Sequence, residues 1–206
     1  MKRKEEGMSI NILINKRAML KILCVLSLTI VLFFVNTIGA FAETKSLNIT
    51  RQQQATGKTN WCWAACSEMI GKYYYSSSRT QTSVVSYIKG SHLPNDIGTA
   101  PEIVSGIAYV AYNTVSASWG AVRTFTQHTT LLNAGKALTD RIQWSNGTGH
   151  YVVVKGFAST NTSATLTLID PYFGCGIATY SYTALIGGTT IQSGGPGYLT
   201  HSVWIN

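Results

Sequence analysis

The feature that most constrains this chain is a change of hydrophobic period along its length. From Cys62 the residues Cys62, Ala65, Cys66, Met69, Ile70 and Tyr73 recur at three- and four-residue steps, the stripe of one amphipathic helix. Further helices are expected over Thr82 to Ile88, from Thr99, and over about Thr130 to Leu138. Thr99 and Glu102 have the spacing of a capping box, with Pro101 just inside it. After Leu138 the pattern shortens. Asp140 to Trp144, His150 to Phe157, Ala164 to Ile169 and Ile177 to Thr183 are rich in Val, Ile, Thr and Tyr, and loops with Gly, Asn or Ser separate them. Leu199 to Ser202 reads as a terminal strand. Helices first and antiparallel strands second predict an α+β domain.

The N-terminus has a different plan. Lys16, Arg17 and Lys21 form a basic region, Ile22 to Val35 is uncharged and almost wholly apolar, and Ala40-Phe41-Ala42 matches a small-residue cleavage site. This is the layout of a secretory signal peptide spanning residues 1–42, with Met19 as a second possible start. An uncleaved anchor is the rival reading, since Ile22 to Ala42 approaches the roughly 20 residues that cross a bilayer. Asn36 and the cleavage site favour removal, hence a secreted protein with no stable membrane insertion. The residues before Cys24 are not those of a lipoprotein signal. Cleavage leaves residues 43–206 as one domain, long enough to bury a core.

That domain carries ten Lys and Arg against six Asp and Glu. A mild positive charge suits an anionic surface, but no basic run with interleaved aromatics points to nucleic acid. Three cysteines remain, Cys62, Cys66 and Cys175. An odd number in an exported chain leaves one thiol free. The economical assignment keeps Cys62 free; Cys66 and Cys175 then either pair or sit as small buried hydrophobes. No cysteine and histidine clusters at zinc spacing are present, so neither a metal nor another cofactor is expected.

Three short stretches carry chemistry. In Trp61-Cys62-Trp63-Ala64-Ala65-Cys66 a thiol stands in the first turn of the expected helix, with Asn60 placed to cap it. The helix N-terminus favours an anion and lowers a thiol's pKa. In Gly149-His150-Tyr151-Val152-Val153-Val154 a histidine opens a core strand. It shares a face with Val152 and Val154 and points toward the helical half. In Leu168-Ile169-Asp170-Pro171 a carboxylate stands where proline ends the ladder, within reach of an imidazole on the preceding strand. Gln52, Gln53 and Gln54 precede Cys62, and a glutamine amide there would donate to an oxyanion beside the Cys62 N–H. His92, His128 and His201 are alternative bases.

Together, the glutamine, Trp-Cys-Trp-Ala-Ala, Gly-His-Tyr-Val-Val-Val and Ile-Asp-Pro resemble the papain-like cysteine peptidases. The likeness is to their compact bacterial branch, which includes plant-pathogen effector peptidases and bacteriocin-leader peptidases. The resemblance implies a helical half that carries the nucleophile and a C-terminal antiparallel sheet half. It implies Cys62 as nucleophile, His150 as general base, Asp170 as orienting acid and Gln54 in the oxyanion hole. The chain departs from the family in four ways. The Cys62-to-His150 interval of 88 residues is short for papain itself but fits the compact branch, and Asp170 stands where papain has an asparagine. The plant-type cysteine three residues before the nucleophile is replaced by Thr59, and the Gln54-to-Cys62 gap is lengthened, as by an insertion of Thr56-Gly57-Lys58.

The implied activity is hydrolysis of a protein or peptide substrate through a thioester acyl-enzyme, by a monomer. Trp61, Trp63, Tyr172 and Phe173 are candidates to shield the ion pair and line the cleft; core packing is the competing role for all four, and for Trp63 above all. The same triad would also serve an amidase, deamidase or transglutaminase-like acyl transferase. A papain-like binding module without activity is a third reading.

Overall fold

The computed structural model describes residues 42–206; apart from Ala42, the expected signal peptide lies outside them. The chain runs β1 (Glu43–Ser46), α1 (Cys62–Tyr74), α2 (Gln81–Lys89), α3 (Ala100–Val110), β2 (Ala117–Ala121), α4 (Phe125–Asn133), β3 (Leu138–Trp144), β4 (Gly149–Ser159), β5 (Ala164–Ile169), β6 (Ile177–Ser181), α5 (Tyr182–Gly187), β7 (Thr189–Thr190) and β8 (Pro196–Ile205). The fold is α+β with an antiparallel sheet in the order β2-β8-β3-β4-β5-β6; β1 adds to β4 and β7 to β8. The helices are concentrated in the first half and the sheet in the second, as the change of period predicts.

α1 is the central helix. Its residues Cys62 to Gly71 are all buried, which a chain achieves only by packing a helix on more than one side. α1 lies against α3 and α2 on one side and β4 on the other. Val152, Val153 and Val154 of β4 are wholly buried, because this strand has neighbours on both edges and helices over its face. One contact fixes the start of α1. Gly98 lies so close to the Trp63 indole that a Cβ there would overlap the ring.

Several elements differ from the sequence expectation, each for a physical reason. Asn60 does not cap α1. The N-cap residue is Trp61, without a side-chain cap, and the Asn60 amide instead donates to the Asn95 carbonyl at 2.7 Å. The fourth helix begins earlier than expected, at Phe125, where Thr124 and Gln127 form a capping box. It ends by Asn133, because Leu138 is already paired with Val154 and Trp204 in the sheet. The expected strand from Ile177 stops at Ser181, whose hydroxyl caps the unexpected helix α5. β1 and β2 were not expected as strands. The Thr99–Glu102 capping box forms as predicted, and Glu102 also pairs with Lys89 at 2.6 Å.

Candidate active site

The start of α1, the start of β4 and the turn after β5 meet at one cleft of about 710 Å³. Cys62 and His150 are among its lining residues, and Asp170 lies behind His150. Cys62 is the first residue of α1, so its backbone N–H has no intrahelical acceptor and faces outward from the helix end. Besides the Asn60 amide bond to the Asn95 carbonyl, three hydrogen bonds to the 94–96 segment hold this end. Trp61 Nε1–H donates to the Pro94 carbonyl at 2.8 Å, Trp63 Nε1–H to the Asp96 carbonyl at 3.2 Å, and Asn60 N–H to Asn95 Oδ1 at 3.0 Å. Trp61 and Trp63 are 1% and 0% exposed, so they anchor the turn that carries Cys62 in the core and do not line the cleft.

His150 is the second residue of β4, at the end of the strand nearest the start of α1, and its imidazole is within hydrogen-bonding reach of Cys62. Its Nε2 lies 2.8 Å from Asp170 Oδ1. Trp144 stacks over the imidazole at a centroid distance of 6.2 Å and 16° between planes, and Tyr172 meets its edge at 6.1 Å. Tyr172 thus meets the imidazole as expected, and Trp144 takes the shielding place expected of Trp61 and Trp63. Phe173 is 65% exposed and lines a smaller adjoining cavity.

Electrostatics favour an ion pair. Burial pushes the Cys62 thiol up, but the neighbouring His150 imidazole, by hydrogen bonding and charge, and backbone hydrogen bonds from Tyr151 and Trp63 bring it below its ordinary value. Burial pulls His150 down; the Asp170 carboxylate and the Cys62 thiolate outweigh this and push it up to about 9. Burial raises Asp170, while hydrogen bonding and charge from His150 lead the effects that hold it below the usual carboxylate range. Cys66, one turn deeper in α1, is raised well above the ordinary thiol value, first by burial and then by the Cys62 charge. Cys66 is wholly buried, Cys175 is partly exposed, and all three described cysteines are free thiols, so Cys66 and Cys175 form no bridge.

Residues without a sequence signal complete the site. The Arg51 fork donates from Nε to the Asp170 carbonyl and from Nη2 to the Tyr172 carbonyl, both at 2.9 Å, and so fixes the turn that carries Asp170. The Tyr172 N–H donates to Asp170 Oδ1 at 2.9 Å. The Ser193 hydroxyl is near enough to Asp170 to favour its ionised form, yet neither Ser193 Oγ nor Asp170 Oδ2 has a partner within hydrogen-bonding distance. Gln54 is buried beside the cleft. Its Nε2 donates to the Lys58 carbonyl, at the end of the Thr56-Gly57-Lys58 stretch read as an insertion, and its backbone N–H to the Pro171 carbonyl at 2.7 Å. One amide hydrogen of Gln54 is thereby used and the other is not.

The alternative bases stand apart. His128 is wholly buried between Asp140 and the Thr124 carbonyl, and His92 and His201 are exposed residues outside the cleft lining. Among the described residues, no group of His, Cys, Asp and Glu has the arrangement to hold a metal ion.

Residues 46–185 match the Peptidase_C39 like family. No curated protein matches the chain. Among solved structures the chain is similar to digestive procathepsin L 3 of Tenebrio molitor larval midgut, with TM-score 0.54 and 11% identity over 79% of this chain and 71% of that one. A looser similarity, TM-score 0.32 at 12% identity, links 77% of this chain to 98% of the Pseudomonas avirulence protein AvrPphB.

Proposed function

This chain belongs to the Peptidase_C39 like family and is a papain-like thiol peptidase, and we propose that it hydrolyses peptide bonds with Cys62 as nucleophile, His150 as base and acid, and Asp170 as orienting carboxylate. The observation that carries this reading is the convergence of three elements far apart in sequence on one cleft. There the thiol is lowered and the imidazole raised by each other's charge.

The Cys62 thiolate attacks the carbonyl carbon of the scissile bond. The negative charge moves to the carbonyl oxygen, where the Cys62 N–H and the unused amide hydrogen of Gln54 receive it. Each such donor contributes about 3–4 kcal/mol. The His150 imidazolium gives its proton to the leaving nitrogen as the C–N bond breaks, leaving a thioester on Cys62 and neutral His150. Water then loses a proton to His150 and attacks the thioester, and the acid departs as the Cys62 thiolate re-forms. Asp170 holds the ring orientation and stabilises the imidazolium throughout.

The N-terminal plan of Lys16, Arg17 and Lys21, an apolar run and Ala40-Phe41-Ala42 supports export with cleavage after Ala42. Intact mass of the protein recovered from the medium tests this; a retained N-terminus contradicts it. Incubation with a diverse peptide mixture, read by mass spectrometry, tests the activity. Cleaved peptides are expected from the unaltered protein and none from C62A. Deamidated or cross-linked peptides without cleavage would replace hydrolysis with acyl transfer.

A further inference from the structure

We propose that Arg141 reads a carboxylate on the substrate, so that the cleft selects peptides with Asp or Glu beside the scissile bond. The proposal rests on the peptidase reading of the same cleft. Of the residues lining that cleft, Arg141 alone carries a permanent charge, and no carboxylate lines it. The remaining polar lining includes Asn60, Asn146, Thr148 and Ser193, all neutral. Apart from the Cys62–His150 pair, whose charges offset each other, a site built this way presents one cation and no carboxylate in its lining to neutralise it.

Asp96 precedes Ile97 and Gly98 of the lining but is itself exposed and outside it; the other carboxylates nearby are engaged elsewhere. Asp170 is bonded to His150, Asp140 to His128 and Ser202, and Glu102 to Lys89. Arg141 spends only Nη1 within the protein, on Gln143 Oε1 and on Thr200 Oγ1 at 3.3 Å. Its Nε and Nη2 have no hydrogen-bond partner among the described residues. Adjacent Nε and Nη2 hydrogens form one edge of the guanidinium fork, which matches the two oxygens of a carboxylate.

The fork is also held in place. Arg141 lies opposite Tyr151 in the β3–β4 ladder, one residue beyond His150. Its guanidinium rests on Gly149, and a Cβ at that position would overlap Nε, Cζ and Nη2. A glycine immediately before His150 thus makes the space in which the charge sits. An extended peptide advances roughly 3.3–3.6 Å per residue. A charge packed on the residue next to His150 therefore addresses a substrate residue one or two places from the bond being cut. A cation in a partly desolvated cleft with no carboxylate in the lining gains most from a ligand that brings one.

The test uses a positional peptide library with amidated C-termini, cut by the full chain, R141Q and R141E and read by mass spectrometry. Matched Glu and Gln peptides are also titrated against C62A by fluorescence anisotropy. The expected result is a preference of roughly tenfold or more for Asp and Glu at one position. R141Q should lose that preference and R141E should turn it toward Lys and Arg, with C62A binding the Glu peptide more tightly than the Gln peptide. Cleavage without acidic preference, or a preference unchanged in R141Q, overturns the assignment and leaves the peptidase reading intact. A preference seen only with free C-termini moves the carboxylate from a side chain to the chain end and overturns it too. No cleavage by the unaltered protein, with tighter Glu-peptide binding by C62A, would sustain the carboxylate site and overturn the peptidase reading. No cleavage and no binding difference overturns both.

Discussion

His150 Nε2 stands 2.8 Å from Asp170 Oδ1, and Arg51 holds the backbone of that aspartate from behind with a 2.9 Å hydrogen bond to its carbonyl. The acid is thus fixed at both its side chain and its main chain. The imidazole it orients is raised to about 9, where burial alone would have lowered it.

The proposed ion pair sets a pH window. Cys62 is lowered from 9.0 and His150 raised to about 9, so thiolate and imidazolium coexist between those two transitions. We expect kcat/KM to be bell-shaped with its alkaline limb near pH 9. In D170N the carboxylate's charge is gone, and the alkaline limb should fall by about one to two pH units. A profile measured on a fluorogenic peptide checks this; an alkaline limb that stays near pH 9 in D170N would contradict it.

Arg51 acts through Asp170. R51A removes both hydrogen bonds to the 170–172 turn. It should lower kcat with little change in KM and destabilise the fold by about 1–3 kcal/mol. R51K restores the charge but not the fork, so it should recover less than half of the lost kcat. Steady-state kinetics beside thermal melts separate this from a purely structural loss. A Tm loss with kcat unchanged would remove the positioning role.

His128 belongs to a second buried cluster. Its two ring nitrogens face the Asp140 carboxylate at 2.8 Å and the Thr124 carbonyl at 3.0 Å, and the Ser202 hydroxyl donates to the same carboxylate at 2.6 Å. Both neighbours of the ring are acceptors, which favours the doubly protonated form. Burial opposes this, but the Asp140 charge prevails and the pKa is raised above 6.5. A raised folded-state pKa means that the pair's stabilisation is complete below about pH 6.5 and is lost as pH rises through the folded value. H128Q should cost about 3–5 kcal/mol, since it leaves the buried Asp140 carboxylate without a counter-charge. The loss should be larger at pH 6 than at pH 9. Denaturant melts at the two pH values check the sign.

The frame of the site was legible in the sequence because local rules govern it. Period three-to-four placed α1, a Val- and Tyr-rich run bounded by turn residues placed β4, and Pro171 marked the end of β5. The supporting residues were not, because their partners are distant. Arg51 bonds carbonyls 119 and 121 residues away, and nothing local distinguishes it from an exposed arginine. Trp144 meets His150 only through the β3–β4 register. Asn60 has the composition of an N-cap, but the 94–96 segment competes for its amide and wins. The Thr124–Gln127 capping box, by contrast, stood in the sequence and would have placed α4 correctly.

The Gly98–Trp63 contact gives an independent check on how the nucleophile turn is held. G98A forces a methyl group into the indole. It should cost about 1–3 kcal/mol and lower the rate of Cys62 alkylation as the helix start moves. Unchanged stability and alkylation would show that the Gly98–Trp63 contact does not position the thiol.

The central claim is that Cys62 carries the acyl group. The most direct measurement is rapid quenching of the protein with an activated peptide ester, followed by mass spectrometry of its digest. The account predicts a thioester on the peptide containing Cys62, absent from C62A and accumulating in H150A, where the base for deacylation is gone. An adduct on Cys66 or Cys175, or hydrolysis that survives in C62A, would contradict it.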